Sequence, residues 1–429
     1  MKQPIMVGLL GLGTVGGGTL RILQNRVEDI AQRLGRPVQV KKVLVRNLQK
    51  PRPVVVDPAL LTDNPADILE DPEISIVVEL MGGIHPALDY IKSALKAGKN
   101  VVTANKDLMA VHGRELFELA DAKELDLEFE ASVAGGIPII RPLKVCLTAN
   151  RIEELKGIIN GTTNFILTKM TQEGSDFGEV LKEAQALGYA EADPTADVEG
   201  LDAARKLAIL ASIAFNSRIT LNDVYVEGIT KVTARDIQYA RQMGYTIKLL
   251  GIAKEIEGKV EARVHPAMIP DCHPLAAVND AFNAIFVKGD AVGETMFYGR
   301  GAGDMPTGSA VVGDIIDVAR NIINGHTGRI SCTCYHQKPV RPIGEIVCKY
   351  FLRLVVTEKP GVLASIAGVF GDQGVSIQTL IQQETIGDSA EIVLVTHPVQ
   401  EDNLQKALNI LSDMPIVERV GSVIRVERG

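Results

Sequence analysis

Tryptophan is absent from this 429-residue sequence, and aromatic residues reach only 4%. Stacking platforms for single-stranded nucleic acid are therefore scarce. Positive charge is not in excess either. The net charge is −8 and the pI is near 5.5, which removes the electrostatic footprint that binding a phosphate backbone needs. No run of about eighteen uncharged apolar residues offers a membrane span, and the opening "MKQPIMVGLLGLG" lacks the apolar core and cleavage site of a secretory leader. Five cysteines make no disulfide framework and suit a reducing compartment. These absences predict a cytoplasmic protein with neither nucleic acid nor membrane as partner. Cys332, Cys334 and His336 ("SCTCYHQ") and Cys272 and His273 ("DCHP") lack the two-to-four-residue gaps of zinc ligands, so they are expected to be ordinary reduced thiols and side chains.

What is present is the composition of a globular chain, 46% hydrophobic and 23% charged, with length for about three domains. In the first 130 residues, "IMVGLL", "VQVKKVLV", "ISIVVEL", "NVVTA" and "DLEFEA" read as strands. Between them "VGGGTLRILQNRVEDIAQRL", "PALDYIKSALKAG" and "GRELFELADAKEL" carry apolar residues at helical spacing. That alternation predicts a parallel sheet covered on both faces, a Rossmann-type α/β domain over 1–134 completed by a helix near 307–325. Residues 135–306 mix Gly-rich turns, helices at 176–187 and 199–215, and alternating strands ("LNDVYVEGI", "KLLGIAKEIEGKVEARVHPAMI"), which predicts an α+β domain for substrate binding, catalysis and dimerisation. A turn-rich linker follows over 326–348. Residues 349–429 then read βαββαβ, a ferredoxin-like unit whose second strand spans 375–384.

Gly11, Gly13 and Gly16 form G-x-G-x-x-G between the first strand and the first helix. The three glycines serve a tight turn, close approach to a pyrophosphate, and close helix–strand packing, and the helix N-terminus faces the phosphates. Past the second strand stand Arg46, Lys50 and Arg52, where an NAD enzyme usually places a carboxylate. An arginine suits a 2′-phosphate, so the sequence predicts NADP, with NAD as the alternative. The stretch "GYAEADPTADVEGLDAARK" packs Glu191, Asp193, Asp197, Glu199 and Asp202 ahead of Lys206. Asp202 and Lys206 are four apart on a helix and share a face.

The segments "GLGTVGGG", "TANKDLMA", "NGTTNFIL", "GYAEADPTADVEGLDAARK" and "GRGAGDMPTG", in this order, resemble homoserine dehydrogenase over essentially the whole chain. "EKPGVLASIAGVFGDQGVSIQTL" resembles an ACT domain, an amino-acid-sensing module. The resemblance implies NAD(P)-dependent interconversion of L-homoserine and L-aspartate 4-semialdehyde, on the branch toward threonine, methionine and isoleucine. It puts Lys106 and Lys206 beside the reacting carbon–oxygen bond, Lys206 as acid/base, with Asp202 and Glu191 on the substrate ammonium and Asp197 and Gly188 beside them. Asp197 is expected to orient Lys206 or cap the helix.

Thr14, Val15, Thr103 and Gly303 join the glycines, Arg46, Lys50 and Lys106 as implied cofactor contacts. "EASVAGGIPI" resembles a monovalent-cation loop in which Glu130 and the carbonyls of Val133, Gly135 and Ile137 hold Na⁺ or K⁺; a plain Gly-rich hinge is the alternative. The ACT-like unit implies inhibition by L-threonine and a homodimer or homotetramer, and deleting residues 349–429 is expected to spare catalysis. Competing readings are another NADP-dependent amino-acid or semialdehyde dehydrogenase, or a non-catalytic nucleotide and amino-acid sensor.

Overall fold

The computed structural model describes residues 3–52, 54–382 and 388–427, which form two compact units. The first comprises residues up to Leu155, Arg205–Val224 and Phe282–Lys338. Its centre is a six-stranded sheet of β1 (Ile5–Leu10), β2 (Val38–Leu44), β3 (Leu61–Thr62), β4 (Ile74–Glu79), β5 (Asn100–Thr103) and β6 (Leu127–Glu128). All neighbours pair in parallel, in the order β3-β2-β1-β4-β5-β6. β1 and β4 are buried on both faces, which is why they read as near-continuous Val, Ile and Leu. The order reverses between β1 and β4, so a crevice opens beyond their carboxyl ends.

Two local features differ from the sequence expectation. The stretch 15–34, read as one helix, breaks at Arg26 (φ −121°) into Thr14–Asn25 and Val27–Leu34. β3 is only two residues long, too short to register as a periodic pattern. The helix Asp304–Asn324 lies against Thr14–Asn25 and sends Val311, Ile315 and Val318 into the core around Val7, Leu9 and Ile76. Glycines permit this contact. A Cβ on Gly18 would stand 2.0 Å from the Asp304 carbonyl oxygen, and one on Gly308 2.8 Å from the Gly18 carbonyl carbon.

The second unit comprises Lys156–Ala204, Tyr225–Ala281 and the residues from Pro339 onward. The strands Tyr245–Ile256 and Lys259–Pro270 make a hairpin, with Glu257 (φ +54°) and Gly258 (φ +77°) at its turn. Of the expected strand "LNDVYVEGI" only Tyr225–Val226 pairs, alongside Arg263 and Val264. Val417–Val426 adds to the hairpin in parallel through Ala267↔Arg425 and Met268↔Val426. Val347–Thr357, Ser389–Thr396 and Ile377–Gln382 then extend the sheet in antiparallel steps. Helices Val362–Asp372 and Glu401–Ser412 close a core of Leu352, Leu354, Ile366, Phe370, Leu404 and Leu408. This is the βαββαβ arrangement expected; Gln383 and Glu384 of its second strand lie outside the described residues.

Charged side chains link this module to the hairpin side of its own unit. Arg263, 2% exposed, pairs with Glu261 at 2.8 Å and Glu427 at 2.7 Å, and Lys254 reaches Glu427 at 3.2 Å. Arg353 pairs with Asp236 at 2.8 Å and Glu391 at 2.9 Å. Arg425 lies 2.9 Å from both Glu401 and Glu227. Among the described residues no helix is long and apolar enough to cross a membrane.

Candidate functional site

At the end of β1 the chain turns at Gly11 (φ +108°), where a Cβ would meet the Leu80 carbonyl oxygen at 2.9 Å. Gly13 caps the helix Thr14–Asn25, and a Cβ there would meet nothing within 4 Å. A Cβ on Gly16 would stand 2.5 Å from the Gly11 carbonyl oxygen. The three positions thus divide into a turn, an open approach and a tight packing contact, as pyrophosphate binding at a helix N-terminus requires. The cleft above them is lined by Gly11, Thr14, Arg46, Lys50, Arg52 and Asp63, among others. Arg46 and Lys50 are exposed beyond the end of β2, and Asp63, just after β3, supplies a carboxylate that sequence reasoning missed. Val15 packs on the core rather than lining this cleft. Gly303 (φ +130°) starts the helix Asp304–Asn324, whose first residue ion-pairs with Arg21 at 3.0 Å.

A buried chain of hydrogen bonds sets the end of β5. Glu79, fully buried, accepts from the Thr103 hydroxyl at 2.7 Å and the Met81 N–H at 2.8 Å. Thr103 in turn accepts from the Asn105 N–H at 3.0 Å, so its hydroxyl is spent inside the protein, away from the cleft side expected of it. Asn105 caps the helix Lys106–Asp121 by accepting from the Leu108 N–H at 3.1 Å, and donates to the Gly83 carbonyl at 2.6 Å. Lys106 is thereby held at the first turn of that helix, half-buried. Its neighbour Asp107 pairs with Arg205 at 3.2 Å, which ties the start of this helix to the helix Leu201–Ala214 one residue before Lys206. Glu79 carries no motif signal beyond a polar residue at a strand end, whereas Asn105 lies in the "TANKDLMA" segment.

In the second unit, Asn160 caps the helix Gly161–Glu173 through its side-chain oxygen, which accepts from the Thr163 N–H. Its amide nitrogen donates to Asp197 at 2.7 Å and to Asp202 at 2.9 Å. The Thr162 hydroxyl lies 3.0 Å from the other Asp197 oxygen and 2.7 Å from the Tyr189 carbonyl. Asp197 and Asp202 are therefore brought together, Asp202 buried, by the asparagine of "NGTTNFIL" that also caps the helix. Asp197 lies inside the short helix Thr195–Val198, four residues before Leu201, where the helix of Lys206 begins, so it is not the cap residue of that helix. Gly188 (φ +77°) ends the helical segment and leads into the loop on which Glu191 stands exposed. Asp193 accepts from the Thr195 N–H and hydroxyl within that loop, and Glu199 from the Thr230 hydroxyl.

The cation loop takes a specific form. Ala134 and Gly135 both have positive φ (+56° and +53°), and a Cβ on Gly135 would meet the Gly301 carbonyl oxygen at 2.4 Å. The Glu130 carboxylate turns inward, accepting N–H bonds from Ile139 at 2.6 Å, Ile140 at 2.8 Å and Arg141 at 2.7 Å. With three N–H bonds on its carboxylate, Glu130 can offer a cation its main-chain carbonyl, beside those of Val133, Gly135 and Ile137, and the one acceptor site that Oε2 has left. Asp314 accepts the Glu130 N–H at 2.9 Å; burial, then the charges of Glu128 and Glu130, push its carboxyl well above the usual range. No group of three or more His, Cys, Asp or Glu suited to a metal occurs among the described residues. The thiols are not all ordinary, however: the S–H of Cys334 draws Cys332 down to about 6.

Residues 11–130 match the family described as "Homoserine dehydrogenase, NAD binding domain", residues 138–316 "Homoserine dehydrogenase", and residues 350–415 "ACT domain". A homoserine dehydrogenase of Bacillus subtilis (strain 168) is 49% identical over 99% of both chains. The crystal structure of a homoserine dehydrogenase from Thiobacillus denitrificans superposes with a TM-score of 0.93, at 47% identity over 99% of both chains. The chain belongs to the homoserine dehydrogenase family. It is an oxidoreductase of homoserine with a nicotinamide dinucleotide as partner, built from an NAD-binding domain, a catalytic domain and a C-terminal ACT domain. A hyperthermophilic archaeal homoserine dehydrogenase in complex with NADPH is also similar, at 26% identity and a TM-score of 0.62, over 74% of this chain and 98% of that one.

Proposed function

We propose that Lys206 moves the proton in the interconversion of L-homoserine and L-aspartate 4-semialdehyde. The bound nicotinamide takes or gives the hydride. In the oxidation, the Lys206 amine accepts the hydroxyl proton as the hydride leaves the same carbon; in the reduction, its ammonium returns a proton to the aldehyde oxygen. Lys106, at a helix start beyond a strand end, orients the reacting oxygen. Asp202 and Glu191 receive the substrate ammonium, and Asp197 supports Asp202 through their shared Asn160. The observation that carries this reading is that buried carboxylate, held by an amide, one helical turn before Lys206.

The basic rim of Arg46 and Lys50, with no carboxylate at the end of β2, favours NADP; Asp63 keeps NAD in view through a ribose hydroxyl. Na⁺ or K⁺ sits on the main-chain carbonyls of the 130–137 loop. The ACT domain binds L-threonine as a feedback inhibitor on the branch to threonine, methionine and isoleucine, in the cytoplasm. A homodimer or homotetramer is supported by Met296 and Tyr298, 42% and 53% exposed on the strand Gly293–Arg300.

One assay tests the central claim. NADPH oxidation with aspartate semialdehyde is followed for the wild type and Lys206→Met. The variant should keep its melting temperature and lose roughly 10²–10⁴ in kcat. A Lys206→Met enzyme within threefold of wild type would remove lysine from the mechanism. Threonine added to the wild type should lower the rate.

A further inference from the structure

Cys332 and Cys334, separated by Thr333, border a narrow cavity of about 40 Å³ whose walls include Met109 and Gly113 from one helix and Ala208 and Ser212 from another. Two cations attend the pair. Arg218 Nη2 lies 3.6 Å from Cys332 Sγ. Lys144, 7% exposed, also borders the cavity; its ammonium has no hydrogen-bond partner among the described residues and rests over the Phe117 and Phe129 rings at 5.0 and 5.5 Å. The Cys334 S–H can serve either Cys332 Sγ or the Ser212 carbonyl, 3.7 Å away. Donated to Cys332 it lowers that thiol to about 6, against burial and with help from the Cys334 N–H, Arg218 and Lys144, while Cys334 itself is pushed up. The two sulfurs are thus unlike in kind: one is poised as a thiolate, the other as a protonated reserve. An apolar chamber with an unpaired ammonium, large enough for about one small molecule, is suited to neither homoserine nor a dinucleotide.

We propose that Cys332 is the site at which hydrogen peroxide oxidises this chain, and that Cys334 closes the product to an intrachain disulfide that slows turnover. In the first step the Cys332 thiolate attacks one peroxide oxygen; the S–O bond forms, the O–O bond breaks, and hydroxide leaves. In the second, the Cys334 sulfur displaces hydroxide from the sulfenic acid, its own proton leaving as water. Two thiols lose two electrons and two protons, and one peroxide becomes two waters. Residues two apart are separated by at most about 7 Å, which meets the upper end of the Cα spacing that a disulfide tolerates. Closure withdraws the S–H from Ser212 and the thiolate charge from Arg218 and Lys144. Ser212 lies on the helix of Lys206, so the coupling to turnover rests on the proposed role of that lysine; the oxidation itself does not.

The test treats the purified full chain with hydrogen peroxide and reads intact mass, peptide masses and turnover. The mass should fall by about 2 Da, with the change confined to the 332–334 peptide, and turnover should drop several-fold; dithiothreitol should reverse both. Cys332→Ser should keep its turnover through the treatment, and Cys334→Ser should gain about 16 Da without forming the disulfide. If serine at 332 impairs folding, brief iodoacetamide labelling of the wild type decides instead: Cys332 should react ahead of the exposed Cys146 and Cys272. Preferential reaction at Cys146 or Cys272, with the pair left reduced, overturns the site. A disulfide formed with turnover unchanged overturns the coupling, and that result is distinct from any failure of Lys206→Met.

Discussion

Glu427→Gln isolates the ion network that holds the ACT module to the hairpin of its unit. Glu427 is 4% exposed and accepts from Arg263 at 2.7 Å and Lys254 at 3.2 Å. The substitution keeps the shape and one acceptor but removes the charge, leaving the buried Arg263 with one carboxylate, Glu261 at 2.8 Å. Breaking a buried pair from one side costs roughly 3–5 kcal/mol; with Glu261 retained, the lower end, about 3 kcal/mol, applies. For a unit of this size each kcal/mol moves the melting point by about 2–4 °C, so a fall of roughly 6–12 °C is expected at pH 7.5 by circular dichroism. The pH dependence has a definite sign. Burial opposes the charged carboxylate, but Arg263 and Lys254 hold its pKa well below the ordinary range. A depressed carboxyl contributes stability that is complete above its unfolded pKa, about 4.3, and is lost as pH falls through the folded value. The gap between wild type and variant should therefore stay level above about pH 5 and narrow in acid. A melting point within 2 °C of wild type, or a gap that widens in acid, refutes the reasoning. The same network bears on truncation. Deleting residues 349–429 removes Glu427 and Arg353, stranding Arg263 and Asp236 and uncovering Ala267 and Met268, so the truncated chain should unfold rather than remain an unregulated enzyme.

Four further substitutions probe the helix contact and the site. Gly18→Ala should cost roughly 1–3 kcal/mol in urea denaturation, because its Cβ meets the Asp304 carbonyl, whereas Gly13→Ala should melt like wild type yet raise the cofactor KM about tenfold. Arg46→Ala should raise the KM for NADP roughly 10- to 100-fold and leave that for NAD nearly unchanged; equal effects on both would remove Arg46 from the 2′-phosphate. Asn160→Ala should cost about 1 kcal/mol of stability through the lost cap and raise the homoserine KM about tenfold, because Asp197 and Asp202 lose their common donor.

The parallel sheet and the C-terminal βαββαβ order were legible because their strands are short Val- and Ile-rich runs, their helices keep apolar periods, and both end on Gly, Pro or Asn. The break at Arg26 and the two-residue strand Leu61–Thr62 were not, since neither leaves a period to detect. Within the site, the glycine roles were readable from spacing: each reports a backbone approach that only the absence of a Cβ allows. Glu79 was hidden, as were the partners of Asn105 and Asn160, because these bridges join residues 22 to 42 positions apart and spacing carries no trace of them. Cys332 shows the opposite limit. The one-residue gap between Cys332 and Cys334 argues against a zinc pair, but it says nothing of the ammonium and guanidinium that chain topology brings beside them.

The continuous sheet also limits how such a regulatory module can be inherited or transplanted. An autonomous cassette travels between genes with its contacts inside it. Here Arg263, Glu261, Asp236 and Glu227 lie outside residues 349–429, while Glu427, Arg353 and Arg425 lie within them. A recombination event at the linker would carry half of each pair, and a graft onto a foreign scaffold would arrive with buried charges and no counter-charges. Chimeras that move sensing between enzymes should therefore tolerate a crossover only where residues 227–270, with Glu227, Asp236 and Glu261, move together with the module.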